Sequence, residues 1–285
     1  MSESQLALTP ELAQLSDRVA VAVRGQSRLG VAFSGGVDSS VLLALSVRTL
    51  GSDNVVAVLG VSPSLAAGER AQAHDVAGYI GARIVEVQTH EGDNAAYRAN
   101  GPDRCFHCKD ELFTRISTEV VAQHRLSAVA YGENADDVRR PDRPGSRAAS
   151  GHLVLRPLAD AGLDKAAVRA IARALGLPSA DKPAAPCLAS RIPHFDEVSP
   201  EKLAQVEEAE NALHGLGFAD LRVRHHGDIA RVELPGEDLV RAVASPVREQ
   251  ILQAVRAAGF RFVAVDLAGI QSGMFTLPLV TASRG

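Results

Sequence analysis

Between residues 28 and 175, short β-branched apolar runs take turns with segments of helical period, and this alternation constrains the fold more than any other feature. The runs "RLGVAFS" (28–34), "NVVAVLGVS" (54–62), "ARIVEVQT" (82–89), "SAVAYG" (127–132) and "HLVLRPL" (152–158) read as strands. Helical spacing occupies residues 10–24, 37–50, 65–80, 109–124 and 163–175. Strands with no polar face, alternating with helices, specify an α/β fold built on a doubly wound parallel sheet. Thr9 and Pro10 suit the N-cap and first turn of the first helix, and Gly51 and Gly176 stop two later ones.

The pattern breaks between Pro178 and Pro200, where Pro183, Pro186 and Pro193 also interrupt the chain. A helix (200–216), two facing strand runs (221–227 and 229–235) turning at Gly227-Asp228, a helix near 245–258 and a strand (261–267) follow. This predicts two domains: residues 1–195 around the parallel sheet, and residues 196–285 as a smaller α+β domain. With 285 residues, 46% of them hydrophobic, the chain can bury one large core and a satellite. Its net charge of −4 gives no sign of a nucleic-acid partner. No apolar run approaches the ~20 residues of a membrane span, and the start lacks the basic-then-apolar order of a signal peptide. A cytoplasmic enzyme is expected, and in that compartment three cysteines do not make a disulfide framework.

The first strand runs into "SGGVDSS" and then into a helix. Gly35 and Gly36 permit positive φ and close approach of a ligand to the main chain. The helix starting at Val37 turns its positive end to the same place, and Ser34, Ser39 and Ser40 add hydroxyl donors. Such a turn suits a phosphate or pyrophosphate. No Gly-Lys-Ser/Thr follows it, so it is not a Walker A loop, and the dinucleotide fingerprint is missing. The stretch resembles the PP-loop of the ATP pyrophosphatases. That resemblance implies ATP cleaved between its α- and β-phosphates, Mg²⁺, and an Asp38 that orders the loop or helps hold the metal. Ligands of parallel sheets lie at the carboxyl ends of the strands, so Ser62 and Gly132 are expected to flank the nucleotide. In "GENADD", Glu133 and Asp136 are placed to help Mg²⁺ or substrate, with Asp137 either a third such group or a solvated acid.

Cys105 and Cys108 form a C-x-x-C in "RCFHCK", and Cys187 lies in "APCLASR". Redox chemistry, zinc with His107 or His194 as a further ligand, inert burial and an iron–sulfur cluster are all open readings. Arg104 and Lys109 beside the pair would favour thiolates. Arg222 and Arg224 alternate along one strand and so face one way, which suits a phosphate or a solvated surface.

Taken in order, "SGGVDSS", "RCFHCK", "GENADD", "LRPL", "DKPAAPCLASRIP" and "LRVRHHGDIARVEL" resemble the LarE family of ATP-dependent sulfur transferases over residues 10–265. The resemblance implies adenylation of a carboxylate of pyridinium-3,5-biscarboxylic acid mononucleotide and its conversion to a thiocarboxylate. With three cysteines present, it implies a [4Fe–4S] cluster on Cys105, Cys108 and Cys187 that carries extra sulfide, recharged by sulfide or a sulfur donor. The alternative within the family is sacrifice of the Cys187 sulfur, leaving dehydroalanine. Ser190 and Arg191 are then expected near the activated carboxylate, Arg222 and Arg224 at the substrate phosphate, and the smaller domain in hexamer assembly. This chain reads "IPHF" where the family often has Ile-Pro-Tyr-Gly, which leaves the role of His194 open. Rival readings are a PP-loop tRNA thiolase, which needs a basic surface, an ammonia-dependent amidating ligase, and a nucleotide sensor without catalysis.

Overall fold

The structure, a computed structural model, describes residues 8–139, 145–183 and 185–270. By contacts the chain divides into two compact units. The first comprises residues 1–91 and 105–185, and the second residues 92–104 and 186–285.

In the first unit β1 (Leu29–Ala32), β2 (Val55–Val61), β3 (Arg83–Gln88) and β4 (Ala128–Tyr131) form a wholly parallel sheet in the order β3-β2-β1-β4. Consecutive residues of a strand point to opposite faces, and both faces are covered. Leu29, Val31, Val55, Ala57 and Leu59 join one core with residues of α1 (Pro10–Arg24), α2 (Val37–Leu50), α3 (Ala67–Ile80) and α5 (Lys165–Ala174). Val56, Val58, Val87 and Tyr131 join another with Phe113 of α4 (Arg104–Arg115) and with Ile116 and Val120 beyond it. This is the doubly wound parallel sheet that the alternation predicts. Local chemistry sets the element ends: Thr9 accepts from the Leu12 N–H at the start of α1, and Gly81 closes α3 with φ 79°.

Two segments differ from their sequence reading. Residues 152–158 contribute a single bridge, Leu155 to Ala130, before a short helix at Pro157–Asp160, because Pro157 has no N–H with which to extend a ladder. The helix read at 109–124 starts earlier, at Arg104, and widens into a π-helical turn over Ile116–Val120.

In the second unit β5 (Arg222–His226) and β6 (Ile229–Glu233) form an antiparallel hairpin through Gly227 (φ 62°), and β7 (Phe262–Val265) adds in parallel beside β6. Helices α6 (Pro200–Gly215), α7 (Gly236–Val243) and α8 (Val247–Ala257) accompany it. Its buried side chains include Leu203, Val206, Leu213, Phe218, Val223, Val232, Val255 and Phe260.

Candidate active site

From β1 the chain of the first unit steps outward to β2 and β3, then returns to place β4 on the other side of β1. The crevice outside the carboxyl ends of β1 and β4 is therefore a topological switch point, the usual ligand position in such a sheet. Both loops singled out in the sequence lie there. Gly35 has φ 70°, and a Cβ on it would sit 3.0 Å from the Ala73 Cα, so this turn needs glycine. Gly36 is the N-cap of α2, and no side chain caps the helix. The first N–H groups of α2, at Val37, Asp38 and Ser39, thus face the loop as donors to an anion.

The serines have internal duties. Ser39 Oγ and Ser40 Oγ both donate to the Gly36 carbonyl, at 3.0 and 2.9 Å, and Ser34 N–H donates to Ser39 Oγ at 3.3 Å. Gly36 N–H donates to Ser34 Oγ at 3.4 Å. The hydroxyls therefore hold the shape of the loop. Gly132 makes that shape possible from the β4 side: a Cβ there would lie 2.7 Å from Ser39 N and 2.8 Å from the Asp38 carbonyl carbon.

Asp38 joins three segments. Its Oδ1 accepts from Asn134 Nδ2 at 3.0 Å and its Oδ2 from Lys165 Nζ at 2.5 Å. Asn134 caps the short helix Ala135–Val138, with Asp137 answering in a capping box, and Asp136 Oδ2 accepts from the Lys165 N–H at 2.9 Å. Glu133 is buried, with an Arg156 Nη1 at 3.5 Å. Lys165, which the sequence reading passed over, thus brings a cation to the anion loop. Its signal is Asp164, the N-cap that starts α5 at Lys165.

Ser62 follows β2 and donates to Glu91 Oε1 at 2.5 Å. Cys105 and Cys108 lie on the first turns of α4 three residues apart, so they share a face. Lys109 Nζ stands 4.8 Å from the centre of the Tyr131 ring.

In the second unit Cys187 starts a short turn, Leu188–Arg191, and two arginines hold that turn. Arg191 makes a two-pronged pair with Glu210 (2.9 and 3.0 Å) and donates to the Cys187 carbonyl (3.2 Å) and to Ser190 Oγ (3.1 Å). Arg224 donates to the Ser190 carbonyl (2.9 Å) and to Glu233 Oε2 (2.8 Å). Arg222 donates to Asp220 and the Leu221 carbonyl, both at 2.7 Å. Residues 92–104 belong with this turn. Asn100 Nδ2 donates to the carbonyls of Ile192, Pro193 and Asp196, its Oδ1 accepts from Arg104 Nη1, and Arg104 also donates to the Ala189 carbonyl. The Asn100 carbonyl lies 3.0 Å from His194 Nδ1.

None of the three cysteines is in a disulfide, and Cys105 and Cys187 are exposed. The Cys105–Cys108 face offers two sulfurs, whereas among the described residues no three His, Cys, Asp or Glu side chains come together as a metal ion would need. Also among the described residues, no helix is long and apolar enough to cross a membrane.

Residues 12–137 match the family described as asparagine synthase. The chain is 33% identical to the pyridinium-3,5-bisthiocarboxylic acid mononucleotide synthase of Lactiplantibacillus plantarum, over 95% of this chain and 97% of that protein. The chain belongs to the LarE family. This LarE-family chain is also 41% identical to an uncharacterized protein of Synechocystis, over 85% of its own length and 90% of the relative's. A glutamine-hydrolyzing GMP synthase chain from Archaeoglobus fulgidus shares 31% identity over 64% of this chain and 63% of that protein. The LarE-family chain is thus an ATP-using enzyme of the PP-loop, ATP-pyrophosphatase type, for which the uncapped loop at the switch point is the fitting geometry.

Proposed function

We propose that this protein is an ATP-dependent sulfurtransferase acting on pyridinium-3,5-biscarboxylic acid mononucleotide. The observation that carries the reading is the near end-to-end similarity to a synthase of the bisthiocarboxylic product. ATP·Mg²⁺ binds with its phosphates at Ser34–Ser40, against the N–H groups that open α2, with Ser62, Gly132 and Glu133 around the nucleotide. Asp38 and Asp136 would help hold Mg²⁺, and Lys165 neutralises phosphate charge. A substrate carboxylate oxygen attacks the α-phosphorus, the bond to the β-phosphate oxygen breaks, and pyrophosphate leaves an acyl-adenylate. Lys165 and the helix N–H groups favour this step because charge builds on the departing phosphates.

A sulfur nucleophile then displaces AMP to give the thiocarboxylate. Cys105, Cys108 and Cys187 would hold a [4Fe–4S] cluster, which when bound supplies sulfide from outside the chain. Three cysteines outside any disulfide, two of them on one helix face, favour that reading. Its alternative uses Cys187 itself: the thiolate displaces AMP to form a thioester, a base takes the Cys187 α-proton, and the Cβ–S bond breaks to leave dehydroalanine. Arg191 and Arg224 support either course by holding the Cys187 turn, while Ser190 and Arg222 lie on the substrate side. We further assign the protein to the cytoplasm, in keeping with cysteines that form no disulfide, and to a homohexamer. Exposed Val240, Val243, Phe262 and Leu267 on the second unit favour such assembly.

The test is pyrophosphate release on adding the biscarboxylate nucleotide, together with the iron content and mass of protein purified without oxygen. Substrate-dependent release is expected, with about four irons per chain and an unchanged mass after turnover. Iron-free protein that loses the mass of H₂S points to the sacrificial course, and no pyrophosphate release refutes the assignment.

A further inference from the structure

The amino ends of the parallel strands, opposite the nucleotide loop, gather basic side chains on one face of the sheet. Alternation along each strand assigns that face. On β1, Ala32 packs with the core of Val56, Val58 and Phe113, and a Cβ on Gly30 would lie 2.6 Å from Leu126 of the same core. Arg28, two residues before Gly30, turns the same way. On β3, Val85 and Val87 belong to that core, which puts Arg83 on the same face. Arg83 lies level with Val56 and Leu29 with Val55, so the two arginines flank the start of β2. The helical turn Val121–His124 ends against this face, since Leu126 just beyond it meets Gly30.

His124 is 7% exposed, and its Nε2 is buried with no hydrogen-bond partner. The Nε of Arg28 is buried and unpaired as well. Burial lowers the His124 pKa, and the charges of Arg83 and Arg28 lower it further, so both guanidiniums lie close to the ring. Among the described residues no carboxylate pairs with either arginine. Cations often collect at a helix end because its last carbonyls are partly negative. Here those carbonyls are already used. Arg125, left-handed at φ 51°, donates its N–H to the Ala122 carbonyl at 3.3 Å, and the Leu126 N–H donates to the Val121 carbonyl at 2.9 Å. The helix end therefore accounts neither for the arginines nor for the buried imidazole nitrogen.

We infer that Arg28, Arg83 and His124 form an oxyanion site at the amino ends of the strands, one that takes a tetrahedral anion of the phosphate class and is separate from the nucleotide loop. The anion accepts from Arg28 Nε and His124 Nε2, the two buried nitrogens that otherwise make no bond, and from the exposed Arg83 guanidinium at the mouth. Phosphate suits because its oxygens diverge to meet donors from several directions, and two guanidiniums match its charge. The inference does not depend on what the Ser34–Ser40 loop binds.

Two measurements on the full chain test it. Crystals soaked in selenate, a phosphate-shaped anion located by its anomalous scattering, give the position, and urea unfolding at constant ionic strength gives the binding. Selenate is expected between Arg28, Arg83 and His124. Inorganic phosphate should raise the unfolding midpoint of wild type more than that of Arg83→Gln, by the amount that about tenfold weaker binding in the variant produces. Phosphate bound at the nucleotide loop adds equally to both proteins and cancels in the comparison. Ribose 5-phosphate, run alongside, separates the two sources of this chemistry. A larger effect of inorganic phosphate assigns the free anion, a larger effect of the ester assigns a phosphorylated metabolite, and either supports the site. His124→Gln should weaken the response as Arg83→Gln does; should it not fold, the exposed Arg83 position decides alone. Absence of selenate from these three residues overturns the inference. An equal phosphate response of wild type and Arg83→Gln also overturns it, because selenate seen there would then be an adventitious ion only.

Discussion

The Lys165 ammonium lies 2.5 Å from the Asp38 carboxylate, joining the start of α5 to the loop that opens α2. Both side chains are partly exposed, so the pair adds no more than about 1 kcal/mol to stability. Its value is positional: it parks a cation beside donors that face an anion. Lys165→Ala is expected to lower the rate of pyrophosphate release about 10²-fold while the urea unfolding midpoint barely moves.

Gly132→Ala tests the other wall of the loop. The new methyl would meet backbone atoms of Asp38 and Ser39, which cannot rotate away as a side chain can. A loss of about 1–3 kcal/mol in urea unfolding is expected, with weaker nucleotide binding in the fraction that folds. Unchanged stability would mean the two loops separate at little cost.

Arg191→Met should leave the buried Glu210 carboxylate without its two-pronged partner and release the carbonyl of Cys187. Breaking a buried pair from one side costs about 3–5 kcal/mol. Equilibrium unfolding measures that loss, and faster amide exchange at residues 187–191 would locate it. A variant that keeps its stability and loses only substrate affinity would instead mark Arg191 as a ligand-contacting group.

Burial lowers the pKa of both His225 and His226, with further lowering by Lys202 at the first and by Arg231 at the second. In the unfolded chain both titrate near the ordinary 6.5. As pH falls below that value the unfolded state takes up protons first, so stability should decline from there down to the lowered native pKa. Melting temperature against pH is expected to show this slope, and His226→Gln should flatten it. A flat profile in the wild type would place both rings in water.

What was legible in the sequence is what neighbouring residues determine. The passage from β1 through Gly35 and Gly36 into α2 is written in consecutive positions, as is the hairpin at Gly227, whereas helical spacing starts only at Lys109 and so leaves the C-x-x-C off the helix that carries it. Lys165 stands 127 positions from Asp38, and no local pattern links a helix-start lysine to a distant aspartate. Asn100 escaped notice for a related reason. It satisfies carbonyls at Ile192, Pro193 and Asp196 from a left-handed φ of 55°, and a polar residue serving remote backbone has no periodicity. The apolar composition of residues 152–158 suggested a full strand, but Pro157 cut the pairing to a single bridge.

The allegiance of residues 92–104 makes the polypeptide cross from one unit to the other three times, after Glu91, after Arg104 and after Ala185. Neither unit can be excised as a continuous stretch of gene. Truncation from the C-terminus would strand Asn100 and Arg104 without the carbonyls they serve, so an isolated ATP-site fragment would need an internal deletion and a linker from Glu91 to Cys105.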